Sequence, residues 1–181
     1  IGAKSALAER AFPNLDFSAL ASLAGQLVQA KAMSGKASVL HLHVGRLLGG
    51  LEPLFKLIER FDFPAAQAVP THVNRVPEIS PVFMQGIRLA KAGGIIDFTC
   101  CLGPSDGIPT GLDPVRAVLW ALDAGVPAER ITLSSDAGVA VPHGAGGFRA
   151  VPPSILFRDL RRLAVEAGLG WTQALAFVSG N

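Results

Sequence analysis

The stretch SVLHLHVGRLLGGLEPLFKLIERFDFPAAQAVPTHV, residues 38–73, decides the fold. It opens on SVLHLHV, a short apolar run that stops at Gly45 and reads as a strand. LEPLFKLIERFD (51–62) follows, with apolar residues at three- and four-residue spacing and charges between them, the pattern of an amphipathic helix. AAQAVPTHV (65–73) then reads as a second strand. Strand, helix and strand in that order make a parallel β-α-β unit.

The same alternation continues outward. Residues 1–6 read as a strand, and Asp16 and Ser18 are candidate N-caps of a helix running to about Met33 and stopped by Gly35. Downstream, SPVFMQGIRLAKAG (80–93) reads as a helix, GIIDFTCCL (94–102) as a strand, and DPVRAVLWALDAG (113–125) as a helix with Asp113 as cap and Pro114 in its first turn. RITLSSD (130–136) is a strand, residues 137–153 a Gly- and Pro-rich loop, SILFRDLRRLAVEAG (154–168) a helix, and WTQALAF (171–177) the start of another. Five strand–helix units with no linker allow two α/β architectures, an open doubly wound sheet or part of a (β/α)8 barrel. No glycine-rich phosphate loop follows any strand. A whole barrel takes about 250 residues, so 181 would supply part of one.

Half of the residues are hydrophobic, 17% are charged and the net charge is +2, a globular composition without the basic footprint of a nucleic-acid binder. No apolar run of about 18 residues predicts a membrane span. Cys100 and Cys101 are adjacent and are read as reduced core thiols, which points to a reducing, cytoplasmic setting. The start has no secretory-leader pattern. It reads like the middle of a strand, IGAKSAL, and does not begin with Met, so the natural protein is expected to be longer.

In a barrel, functional groups project from the C-terminal ends of strands. The polar residues at or near the predicted ends are Lys4, His43, His72 with Asn74 and Arg75 behind it, Thr99 and Asp136. Singly, each has a plain reading: a core histidine, a rim lysine, a turn-capping aspartate. Jointly, they suit metal chemistry, because neutral imidazoles and carboxylates are natural Zn²⁺ ligands. A lysine ammonium is no ligand, but a carbamate formed from it with CO₂ is anionic and can bridge two metals. The competing role for Lys4 is a Schiff-base lysine, which needs neither the histidines nor the aspartate.

IGAKSAL (1–7), GKASVLHLHVG (35–45), VPTHVNR (69–75) and RITLSSD (130–136) together resemble the isoaspartyl dipeptidases, binuclear-zinc members of the amidohydrolase superfamily built on a (β/α)8 barrel. LEPLFKLIERFDFP (51–64) and LDAGVPAERITLSSD (122–136) extend the resemblance in the same order over the chain, read as the C-terminal part of one barrel domain, about strands 4 to 8. The resemblance implies that Lys4 is the carboxylated lysine of the fourth strand, His43 and His72 the ligands of the fifth and sixth, and Asp136 the eighth-strand metal ligand and proton shuttle. Arg75 matches the arginine that holds the substrate's α-carboxylate, and Arg10 a second substrate arginine, displaced by one position. His41, two residues before His43 on the same face of its strand, would lie one layer deeper as a bystander. The implied reaction is hydrolysis of β-aspartyl dipeptides by a metal-bridging hydroxide, in a homo-oligomer that binds a small dipeptide and neither nucleic acid nor membrane.

The chain also departs from the family. The first three strands, with their H-x-H ligand pair, lie outside it. The family's Gly-Asp after the fifth-strand histidine is Gly45-Arg46 here, and its Gly-Asn-Gly-Ser after the shuttle aspartate is AGVA, leaving Ala140 in the place of a substrate-binding serine. Two other expectations therefore stand beside the first: an amidohydrolase of N-acyl amino acids or cyclic amides, or a degenerate, non-catalytic barrel with a binding or assembly role. The chain alone is expected to be weakly active or inactive.

Overall fold

The computed structural model describes residues 1–10, 14–144 and 146–179. Its first part is β1 (Gly2–Leu7), α1 (Phe17–Ser34), β2 (Val39–Val44), α2 (Glu52–Phe61), β3 (Ala68–Thr71), α3 (Pro81–Lys91), β4 (Ile96–Thr99), α4 (Pro114–Asp123) and β5 (Ile131–Ser134). The hairpin β6 (Ala140–His143) and β7 (Gly147–Ala150) follows, then α5 (Ile155–Arg161) and α6 (Trp171–Ser179). The five predicted strand–helix units are thus present as an α/β fold. Asp16 caps α1 by accepting from the Ala19 N–H at 2.8 Å, and Gly35 ends that helix at φ 66°. Ser18 lies inside α1, and Asp113 caps α4 through Val115 N and Arg116 N.

Strands β1, β2 and β3 form a parallel sheet in that order, and β4 and β5 a second parallel pair. The register sets Lys4 beside His41, Ala6 beside His43, His43 beside Thr71, Asp97 beside Thr132 and Thr99 beside Ser134. Alternate residues of a strand share a face, so one face carries these polar side chains. The other carries Leu40, Leu42, Val44, Ile96, Phe98, Ile131 and Leu133, all buried in the apolar core. Burying about seven such side chains contributes on the order of 10 kcal/mol before entropy is counted.

Between β3 and β4 one backbone bond, Ile95 N to Ala68 O at 3.1 Å, and a set of side chains take the place of a regular ladder. Asn74 is fully buried; its amide nitrogen donates to Thr99 O and Leu112 O, both at 3.0 Å, and its Oδ1 accepts from Thr99 N at 2.8 Å. Asp97 accepts from Thr71 Oγ1 on β3, and from Thr132 Oγ1 at 3.0 Å and Ser134 Oγ at 2.6 Å on β5. Asn74, in the turn after β3, and Asp97, the second residue of β4, thus join the strands through groups that each satisfy several partners at once.

Three features differ from the sequence-based expectation. The Gly- and Pro-rich segment 137–153 folds its centre into the β6–β7 hairpin. Four-residue strands with Pro142 in one and glycines around the turn give no period-two signal. Residues 65–67 form a 3₁₀ turn before β3, so only 68–71 are strand. The helix after 154 changes at Arg162–Glu166 to π-type bonding. There the fully buried Asp159 binds Arg158 and Arg162, each at 2.9 Å, while Arg158 also reaches Asp106 at 2.6 Å, fixing α5 to the loop after β4. Cys100 and Cys101 are buried, unbridged thiols, with burial pushing their pKa up. No helix among the described residues is long and apolar enough to cross a membrane.

Asn74→Ala strands three backbone groups and should lower the unfolding free energy by about 3 kcal/mol; a chemical-denaturation midpoint equal to wild type would contradict the seam. Asp97 gives a pH signature. Burial raises its carboxyl to about 6, against the lowering by its Ser134, Thr71 and Thr132 hydrogen bonds. The folded state therefore holds this proton longer than the unfolded chain, so the contribution is full below about pH 4, is lost as pH rises toward 6 and is constant above. In Asp97→Asn the stability difference from wild type should shift in the variant's favour between pH 4 and 6. A difference that is the same at pH 4 and 7 would overturn this assignment.

Candidate functional site

His43 is the fifth of the six residues of β2, and His72 is the first residue beyond β3. Their rings meet edge to face, centroids 4.5 Å apart at 69°. His72 adopts φ 66°, turning the chain out of β3 into the 3₁₀ turn Val73–Arg75 that carries Arg75. Asp136, two residues past β5, has φ 50°, and Ala8, next to Glu9, has φ 54°. Non-glycine residues in this region cost roughly 1–2 kcal/mol each. Among the described residues three of the four such residues border the site, the fourth being Asp62 at the end of α2, so the strain is concentrated where the loops are held in place.

Gly45 makes one of these loops possible. A Cβ at Gly45 would overlap the Ala8 carbonyl and the Glu9 backbone, so only glycine lets the chain after β1 lie across the end of β2. Gly45 N and Leu47 N donate to Leu7 O and Ala8 O at 2.9 and 3.0 Å and lock that crossing. It brings Glu9 Oε2 to 3.1 Å from His43 Nε2 and 3.0 Å from Arg75 Nη1, itself 3.2 Å from His43 Nε2. His43 Nε2 can donate to Glu9 or accept from Arg75, according to its tautomer.

His72 is buried, and its Nδ1 is 2.8 Å from Thr99 Oγ1. Burial pushes its pKa down to about 2, with Arg75, His43, Lys4 and His41 adding to the effect, so the ring is neutral at ordinary pH and available as a ligand. A hydrogen bond that fixes one ring nitrogen and orients the other is the usual arrangement of a metal-binding histidine. Two imidazoles from adjacent strand ends thus fit a divalent cation by their chemistry. Among the described residues no three His, Cys, Asp or Glu side chains are grouped as a metal site, so Asp136, on the cavity wall, is not gathered with the two imidazoles.

Lys4 lies mid-strand in β1, in register with His41 and one step behind the Ala6–His43 pair. It is exposed, and its charge lowers the pKa of both His41 and His72. His41 Nδ1 is buried without a hydrogen-bond partner among the described residues, on the polar face beneath His43. The structure therefore brings His43, His72 and Arg75 together, with Lys4 and His41 on the same face one layer back.

A cavity of about 510 Å³ opens above this layer, with Glu9, Arg10, Arg46, Arg75 and Asp136 at its polar wall. Leu102, Ile108 and, from the hairpin, Val141 give it an apolar side, and Ala140 also faces it. Glu9 is the site residue that the sequence reading passed over. Its signal was its place directly before Arg10, on the loop that follows Lys4. Such a chamber can hold a small zwitterionic or anionic molecule between guanidinium groups, with a carboxylate within the same space to exchange protons.

No protein-family model matches the chain. Among solved structures it is similar to the β-aspartyl dipeptidase of the thermophilic, keratin-degrading Fervidobacterium islandicum AW-1. The structure of that protein in complex with β-Asp-Leu dipeptide matches with 26% identity and a TM-score of 0.81, over 97% of this chain and 45% of the other. A second structure of the dipeptidase matches with 26% identity and a TM-score of 0.81, over 100% of this chain and 45% of the other. The chain spans a little under half the length of these proteins. By fold and by sequence, it is similar along its length to the β-aspartyl dipeptidases, the group that its motifs at β1, β2, β3 and β5 resemble.

Proposed function

We propose that this chain carries part of the active site of a metal-dependent amide hydrolase that cleaves β-aspartyl dipeptides, and that its five strand–helix units are about strands 4 to 8 of a (β/α)8 barrel. The observation that carries the reading is the meeting of His43 and His72 below a cavity that Arg75 and Asp136 share, in a chain similar to β-aspartyl dipeptidases. His43, His72, Asp136 and a carbamate on Lys4 would hold zinc, with the remaining ligands outside this chain. Bound there, the metal would supply Lewis-acid polarisation of the scissile carbonyl and lower the pKa of water.

The chain's own residues have distinct tasks. Arg75 clamps the substrate carboxylate in a charge-assisted pair, and Glu9 holds the guanidinium in position until substrate arrives. Asp136 takes up the proton released as water adds to the carbonyl and returns it to the leaving nitrogen. Thr99 fixes the His72 ring. Ala140, facing the cavity where a substrate-binding serine would stand, favours as a second reading an amidohydrolase of N-acyl amino acids or cyclic amides.

The test is hydrolysis of β-Asp-Leu by the protein that carries this chain, with and without a chelator. Activity should need metal, and Lys4→Ala and Asp136→Asn should each lower kcat/KM by roughly 10³-fold or more. Unchanged turnover in Lys4→Ala would eliminate the carbamate. Separately, Thr99→Val should weaken zinc binding about 10- to 100-fold with the fold retained; equal affinity would show that Thr99 does not orient His72.

A further inference from the structure

The cavity holds more positive charge than a single carboxylate clamp uses. Arg10, Arg46 and Arg75 stand against Glu9 and Asp136, and Glu9 is already engaged by Arg75. Among the described residues neither Arg10 nor Arg46 forms an ion pair. Arg46 is exposed at the cavity wall, yet its backbone is fixed, because the residues on both sides of it, Gly45 and Leu47, donate to the end of β1 and the residue after it. It is close enough to Arg75 for the two guanidinium groups to repel each other electrostatically. A cation held in a fixed loop, unneutralised and beside a second cation, is a place for an anion.

We infer that Arg46 makes this cavity prefer molecules with a second carboxylate beyond the one that Arg75 holds, so that the favoured substrates are amides whose leaving amino acid has an acidic side chain. The substrate class rests on the hydrolase reading above; the anion preference does not. The two carboxylates of such an amino acid would lie on Arg75 and Arg46, with its methylene groups against the apolar side of the cavity. A lysine or arginine side chain in the same place would meet Arg46 head-on and be disfavoured.

The probes are free L-glutamate and L-glutamine, which differ in one charge. Calorimetric titration of the protein that carries this chain, at low ionic strength, should show glutamate bound about three- to ten-fold more tightly than glutamine. In Arg46→Gln the ratio should fall to about one with glutamine binding unchanged, and Arg46→Lys should keep part of it. Raising the salt should shrink the wild-type ratio. Arg46 is exposed, so the thermal midpoint of Arg46→Gln should equal that of wild type. A wild-type ratio near one, a ratio that survives Arg46→Gln, or no binding of either amino acid would overturn the inference. Glutamate preference in a protein that cleaves no β-aspartyl dipeptide would uphold the anion preference while refuting the hydrolase reading and the substrate class with it.

Discussion

The seam between β3 and β4 is the constraint on which the rest depends. Parallel strands are normally tied by their backbones, but here Asn74 supplies both a donor and an acceptor to Thr99, and Asp97 gathers hydroxyls from β3 and β5. These bonds do more than join strands. Thr99, held by Asn74 through its backbone, holds His72 through its hydroxyl, so the fold and the orientation of the candidate ligand share one residue. Buried polar groups are costly unless all their partners are present. A seam of this kind is therefore more exacting than an apolar contact, and its failure would disorder the site along with the sheet.

The second organising fact is the division of the sheet into two faces. Leu40, Leu42 and Val44 on one side of β2 are buried in the core, and the alternation places His41 and His43 on the other side by necessity. The same rule puts Lys4, Thr71, Asp97 and Thr99 on that polar face. Its inner layer holds Lys4 and His41 side by side, and its outer layer opens into the cavity. Gly45 adds the last element by allowing the loop after β1 to pass close over β2 and deliver Glu9 to His43 and Arg75.

Much of this was legible in the sequence, for identifiable reasons. Strands rich in Val, Leu and Ile bounded by Gly, and helices opened by Asp16 and Asp113, carry strong local signals, and all five units and both caps follow them. The approach of His43 to His72 could be read only by assuming a parallel sheet, and the register bears that assumption out. Three things were hidden. Asp97 sits as a lone acid in the apolar run GIIDFTCCL, and its partners come from two other strands, so no local pattern marks it. Glu9 depends on a crossing made possible by Gly45, thirty-six positions away (45 − 9). The β6–β7 hairpin has strands too short to show alternation, and its wall of the cavity was therefore unforeseen. In the sequence Lys4 reads as a strand-end residue, whereas β1 runs on to Leu7 and leaves it mid-strand.

The site depends on His43 and His72 serving as metal ligands. The most direct test of this role is the metal content, by plasma mass spectrometry, of the purified chain after exposure to zinc and desalting, beside His72→Ala with circular dichroism to establish that both are folded. About one equivalent of zinc is expected in the wild-type chain, and its loss in the variant. Equal metal in the folded wild-type chain and the folded variant would contradict it.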